Sequence, residues 1–228
     1  MTTDLVIYGM KGSPFVRKVQ VLLAEKDIDY DLEMASPFPA PDWFVEINPA
    51  KRIPVLRDRS VGTEGTAGTI PDSSAICAYL ERKYPEPALY PRGAFDYGRA
   101  LWFEEYADTE LATRVGLGLF RPLVMAKLFG KQPDVERARK TLREDLPPIF
   151  GYLEKSIAGR PFLIGGSVGI ADISVASQFV NFNHAGAKLD TARWPALAAY
   201  VERMHARSSF VACIEAERQL FPASDVEI

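Results

Sequence analysis

The sequence predicts a small mixed α/β module followed by an all-helical module in one chain of 228 residues. Three observations carry this. Residues 1–34 read as strand, helix, strand. The pattern breaks at two proline clusters, Pro85-Glu86-Pro87 and Pro91-Arg92-Gly93. From Asp96 onward only helical spacings occur. At roughly 100–200 residues per domain, the length suits one large domain or two small ones. The expected division is residues 1–84, a linker over 85–93, and residues 94–228.

Leu5-Val6-Ile7-Tyr8 is a short apolar run ending at Gly9, the mark of a buried strand. Ser13-Pro14 then starts a helix, with serine as N-cap and proline at the first helical position. Phe15, Val19 and Leu22 follow at helical spacing, and Asp27 ends the helix. Asp29 to Met34 is the second strand, which completes a βαβ unit with an expected right-handed crossover. Trp43 to Ile47 reads as a short helix closed by Asn48-Pro49. Ile53-Pro54-Val55-Leu56 is a third strand, whose proline belongs at an edge or a special turn because it cannot donate to a ladder. Val61 to Thr69 is rich in Gly and Thr and reads as a loop between strands. Pro71-Asp72-Ser73 opens another helix, which stops near Tyr84-Pro85.

The second module shows four stripes. Phe103, Ala107 and Leu111 form the first, and Val135 through Ile157 the second, with Pro147-Pro148 placed to kink or split it. Ile173, Ala176 and Val180 form the third; Trp194, Leu197, Val201 and Met204 form the fourth.

Lys plus Arg number 27 against 30 Asp plus Glu, a net charge of −3. That leaves no basic surplus for coating nucleic acid or an anionic membrane. No window of about 18 apolar residues occurs, so no membrane span is expected. The first residues lack the basic start of a signal peptide, and the expected location is the cytoplasm. Two cysteines, Cys77 and Cys213, make no disulfide framework; two histidines, His184 and His205, show no metal-ligand spacing. The histidines read as surface or capping residues, Cys77 as packing, and Trp43, Trp102 and Trp194 as core anchors. The glycines of Gly165-Gly166-Ser167-Val168-Gly169 lack the lysine of a phosphate loop and read as a turn.

Three motifs of the first module carry chemistry together: Gly12-Ser13-Pro14-Phe15-Val16-Arg17, Asn48 through Leu56, and Pro71 through Ile76. In this order and spacing the chain resembles the cytosolic glutathione transferase family, in its serine-type classes (theta, tau or zeta-like, bacterial or plant-like). The resemblance spans nearly the whole chain and is strongest over residues 5–84. It implies a thioredoxin-like N-terminal domain that binds glutathione, then a helical domain that carries the electrophile side of the site.

The chemistry asked of such a site is simple. A free thiol has a pKa of about 8.5, and its thiolate is the nucleophile. Lowering that pKa from about 8.5 to about 6.5 takes roughly 2.7 kcal/mol of preference for the anion. One hydrogen bond to a charged group supplies about 1.5–3 kcal/mol, and a helix N-terminus adds about 0.3–1 kcal/mol. Ser13 stands at such a helix start and matches the catalytic serine. A plain N-cap is the other reading, and the two are compatible, because a capping oxygen accepts and leaves its proton to donate. Tyr8 is the rival hydroxyl, but it lies inside the apolar strand. No cysteine occupies the motif, which argues against thiol transfer through a mixed disulfide.

The resemblance gives the other residues their roles. Ile53-Pro54 matches a cis-proline turn that exposes the Ile53 backbone to the cysteinyl part of glutathione. Ser73 holds the γ-glutamyl carboxylate at a helix N-terminus, and Asp72, one methylene shorter than the usual residue, holds the ammonium. Arg52, with Lys51 beside it, is placed for the glycyl carboxylate. Gly169-Ile170-Ala171-Asp172 stands where a capping box with a hydroxyl residue is usual. The loop from Asp58 to Ile70 is longer than the usual hairpin, and either flanks the site or is mobile.

The implied activity is attack of the thiolate on a small hydrophobic electrophile, a detoxification chemistry needing glutathione as cosubstrate and no metal. The second substrate is expected near Tyr106, Val115, Leu119 or Phe120. A homodimer is expected, without nucleic-acid or membrane partners. The alternatives are another glutathione-dependent enzyme (isomerase, peroxidase or dehalogenase) or a non-catalytic adaptor that binds proteins. Gly12-Ser13-Pro14-Phe15 lacks the Ser-Ser-Cys pattern of the maleylacetoacetate isomerases, and an adaptor has no need of a thiol-activating hydroxyl.

Overall fold

In the computed structural model, which describes residues 3–221, β1 (Leu5–Gly9), β2 (Asp31–Met34), β3 (Val55–Asp58) and β4 (Thr69–Pro71) form one sheet in the order β2-β1-β3-β4. β1 and β2 run parallel, and the other two pairs are antiparallel. A parallel pair needs a crossover, and α1 (Pro14–Glu25) supplies it. Leu5, Val6 and Ile7 are all buried, so β1 is the covered centre of the sheet. α2 (Asp42–Ile47) and α3 (Ser73–Lys83) complete a thioredoxin-like unit.

The strands differ from expectation in three places. β2 starts at Asp31, two residues later than expected. β3 starts at Val55, after the cis Ile53–Pro54 bond, because Pro54 has no N–H for the ladder. β4 is a strand within residues read as loop and helix start. It has only three residues, and Pro71 is tolerated because β4 is an edge.

The long β3–β4 connection is anchored. Buried Arg57 donates to the carbonyls of Gly65 at 2.8 Å and Ala67 at 2.7 Å. Gly68, at φ 70°, closes the loop against Asp58; a Cβ there would lie 2.4 Å from the Asp58 carbonyl oxygen. Asp58 itself is buried and accepts from Tyr79, Ser60 and Lys83, which ties the end of β3 to α3. Burial pushes its carboxyl up, but these three bonds outweigh that and bring it to about 2.

The chain divides into two compact units between Leu89 and Tyr90. The last residues of the first unit are held by buried Lys26. Its ammonium donates to the carbonyls of Tyr84 at 2.8 Å and Pro87 at 2.7 Å, and pairs with Glu81 at 2.8 Å. Glu81 in turn accepts from the Leu89 N–H at 3.1 Å. Lys26→Met keeps the apolar stem, removes the ammonium and strands two carbonyls. Breaking such a buried pair costs about 3 kcal/mol or more, readable in denaturant unfolding. A loss below about 1 kcal/mol would show that the segment is held by other contacts.

The second unit is helical throughout its described elements. α4 (Ala94–Tyr106) continues through π-type turns over Ala107–Leu111, α5 (Ala112–Val115), further π-type turns over Gly116–Met125, and α6 (Ala126–Leu128). Pro122 lies inside the second widened stretch, where the wider turn relieves the proline's clash with the preceding turn. α7 (Val135–Lys140) passes through widened turns at Thr141–Asp145 into α8 (Leu146–Ile157). Pro147-Pro148 therefore splits the second stripe, and both prolines sit in the first turn of α8, where missing N–H groups do no harm.

α9 (Ile170–His184) is buried almost along its whole length. α10 (Pro195–His205) and α11 (Ser208–Arg218) follow. Phe150 packs against Phe179, Phe182 and Trp194 at 5.1–5.6 Å, the aromatic centre of this unit. Trp194 is a core anchor, but Trp43 and Trp102 are 45% and 47% exposed. His184 is also not a surface residue: it is buried, with Nε2 2.9 Å from Glu217.

Candidate functional site

The strand register brings the three motifs to one end of the sheet. Tyr8 in β1 lies opposite Val55 in β3, and Val55 lies opposite Pro71 in β4. Ser13 follows the end of β1, Ile53-Pro54 precedes the start of β3, and Asp72-Ser73 follows the end of β4. The N-termini of α1 and α3 therefore both open at that end.

Ser13 is the N-cap of α1, with extended backbone at φ −77° and ψ 121°. Gly12, at φ 86°, makes the turn that a side chain would strain. The Ser13 Oγ accepts from the Val16 N–H at 3.4 Å, and Pro14 has no N–H to compete. The hydroxyl proton remains available for a partner outside the helix. Ser13 is half-buried, as a group that must meet a ligand should be.

Pro54 is buried, and the Ile53–Pro54 bond is cis. The turn before it is organised by Asn48, which the sequence places at the close of the short helix and the head of the second motif. Buried Asn48 donates from Nδ2 to the Arg52 carbonyl at 2.7 Å and accepts from the Ala50 N–H at 3.1 Å. An asparagine bonding its own turn two residues on is a recognisable signal that Asn48-Pro49 already carried. Lys51 lies in this turn at φ 53°, and both Lys51 and Arg52 are exposed.

Asp72 caps α3: its Oδ1 accepts from the N–H groups of Ser74 at 2.9 Å and Ala75 at 3.2 Å. Its backbone stands at φ 77° and ψ 132°, a region open chiefly to glycine. Such a conformation costs about 1–3 kcal/mol and concentrates at functional sites. Ser73 is buried at the first position of the helix. Lys18, fully buried on α1, donates to Ser74 Oγ at 3.0 Å and fastens the first turn of α3 to α1. Nothing in the spacing announced Lys18, which sits among apolar helix positions.

Tyr8 is engaged elsewhere. Its ring packs edge-on against Trp43 at 5.3 Å and against the cluster of Ala35, Phe44, Ile47 and Val55. Its hydroxyl accepts from Arg57 Nε at 3.3 Å. Of the four residues expected near the second substrate, Val115, Leu119 and Phe120 are buried. Only Tyr106 is partly exposed, in a cluster with Trp102 at 5.7 Å and Tyr152 at 5.0 Å. Among the described residues no group of three or more His, Cys, Asp or Glu could hold a metal, and no helix is long and apolar enough to cross a membrane.

Known proteins resemble the chain in both parts. The family model "Glutathione S-transferase, N-terminal domain" matches residues 7–88, and "Glutathione S-transferase, C-terminal domain" matches residues 125–203. A relative from Oryza sativa subsp. japonica, "Probable glutathione S-transferase DHAR1, cytosolic", is 28% identical over 91% of this chain and 86% of its own. A "Stringent starvation protein A homolog" of Haemophilus influenzae is 25% identical over 91% of this chain and 88% of its own. The crystal structure of a glutathione S-transferase from Rhodospirillum rubrum F11 superposes with a TM-score of 0.80 at 28% identity, covering 92% of this chain and 91% of that one. With the sheet order, the helical second unit and both family models in agreement, this chain belongs to the glutathione S-transferase family.

Proposed function

We propose that this protein is a glutathione transferase in which Ser13 keeps the thiol of glutathione ionised for attack on a small hydrophobic electrophile. The observation that carries the reading is the half-buried Ser13 hydroxyl at the start of α1, at the sheet end shared with Ile53-Pro54 and Ser73. The hydroxyl donates to sulfur while its oxygen accepts from Val16, and the helix end adds its positive potential. The Ile53 backbone pairs with the cysteinyl unit like an added strand. The Ser73 hydroxyl and amide take the γ-glutamyl carboxylate. Asp72 spends Oδ1 on its cap, which leaves Oδ2 for the ammonium. Arg52 takes the glycyl carboxylate. A homodimer and a cytoplasmic location belong to this reading.

The likeness to a stringent starvation protein A homolog shows that this architecture is not confined to proteins named transferases. A hydroxyl at Ser13 and a strained acid at Asp72 favour the enzyme, because a protein-binding adaptor needs neither. Glutathione is expected to raise the thermal midpoint, since a ligand of the native state at about 100 times its Kd stabilises by about 2.7 kcal/mol. A midpoint that ignores millimolar glutathione would remove the binding site on which the proposal stands. A turnover screen with aryl halides, epoxides and hydroperoxides then identifies the electrophile and separates conjugation from isomerase, peroxidase or dehalogenase activity.

A further inference from the structure

We infer that the second unit carries a binding site for a phosphate monoester with a flat aromatic body, of mononucleotide size, between the start of α4 and the end of α8. A cavity of about 380 Å³ opens there. That is within the range that holds small ligands, roughly 300–1,000 Å³. Phe95 and Phe103 form apolar walls, and Arg99, Lys155, Arg160 and Asp96 supply the charges.

The charge balance points to a dianion. Asp96 lies in the first turn of α4 and Lys155 in the last turn of α8, so each offsets the partial charge of its own helix end. The two guanidinium groups are then left over. Neither takes part in an ion pair among the described residues. Arg99 is already placed, its guanidinium 5.1 Å from the centre of the Phe103 ring. Two planar forks suit phosphate oxygens better than two point charges would, and a phosphate monoester carries about −1.5 to −2 at neutral pH.

The aromatic part of the ligand follows from Phe95. It is 81% exposed on the cavity wall, an unusual position for an unpartnered phenyl ring. A flat ring stacked on it removes both apolar faces from water. An inorganic anion would leave that wall uncovered. All of these residues lie in the second unit, so the inference does not depend on the glutathione reading.

The test is calorimetric titration of the full chain with AMP, adenosine and inorganic phosphate as probes. AMP is expected to bind once per chain, at least about tenfold tighter than adenosine or phosphate alone, each of which has half of the recognition. Arg99→Gln and Arg160→Gln are each expected to weaken AMP by about tenfold, while the glutathione-induced thermal shift stays as in the parent protein. Phenyl phosphate beside AMP shows whether the purine itself is read: equal affinity for the two means that any flat ring suffices. AMP binding no tighter than phosphate, or unchanged in both arginine variants, would overturn the inference. If the glutathione shift is absent while AMP still binds as described, the proposed function fails and this site stands.

Discussion

Asp172→Ala lowers the stability of the second unit by about 3–5 kcal/mol, the largest single effect expected in this protein. Asp172 is fully buried and satisfies three donors at once. Its Oδ1 accepts from the Leu163 N–H at 2.9 Å and from the Tyr200 hydroxyl at 2.9 Å, and its Oδ2 from the Gly169 N–H at 3.1 Å. Gly169 has no side chain to return the bond of a full capping box, so the acid alone closes this end of α9. Alanine leaves the Leu163 and Gly169 N–H groups unanswered and the Tyr200 hydroxyl with only the residue 172 carbonyl at 3.5 Å. A thermal midpoint within about 3 °C of the parent would contradict this, given about 2–4 °C per kcal/mol at this size.

The same carboxyl gives stability a pH dependence of unusual sign. Burial pushes Asp172 up to about 6 against the three bonds that favour its anion. In the unfolded chain an aspartate titrates near about 3.9. The native state therefore holds a proton that the unfolded state releases, and stability falls as pH rises from about 4 through about 6. The gap between those two titrations corresponds to about 3 kcal/mol. Asp58 acts in the opposite sense. Its native value of about 2 lies below the unfolded one, so its contribution is present above about pH 4 and is lost as pH falls through 2. Unfolding at fixed ionic strength from pH 4 to 7 should show the Asp172 decline in the parent and not in Asp172→Asn.

Ser13→Ala is expected to reduce kcat/KM for conjugation at neutral pH by about 100-fold, which corresponds to about 2.7 kcal/mol. Loss of the Val16 cap costs only about 1 kcal/mol of stability, so the folded enzyme survives to be measured. The distinguishing readout is the pH–rate profile. Without the hydroxyl, the apparent thiol pKa should climb toward about 8.5, and activity should recover in part at high pH. An unchanged profile with full rate would mean that another group activates the sulfur.

Most of the first unit is legible in the sequence because its signals are local. Ser13-Pro14 announces a capped helix start, and Leu5 to Gly9 announces a buried strand; the structure has both. A strand after the Val61–Thr69 loop is legible, but the bounds of β4 are not, because three residues at an edge, one of them proline, carry no period. The site motifs can be named from their order, but the residues that position them cannot. Lys18 and Arg57 look like ordinary charged residues, yet both are buried and both bond to chain more than seven residues away. His184 reads as a surface or capping residue; it does stand in the last turn of α9, but its burial against Glu217 is hidden because that partner is 33 residues distant. Long-range partners of charged side chains are a tertiary property, and no local pattern encodes them.

The grip of Lys26 on the carbonyls of Tyr84 and Pro87 has a practical corollary for dissecting this protein. A fragment cut at the end of α3 would leave the Lys26 ammonium with Glu81 alone and without its two carbonyl acceptors. A thioredoxin-like half meant to fold by itself must therefore extend through Leu89, whose amide also answers Glu81.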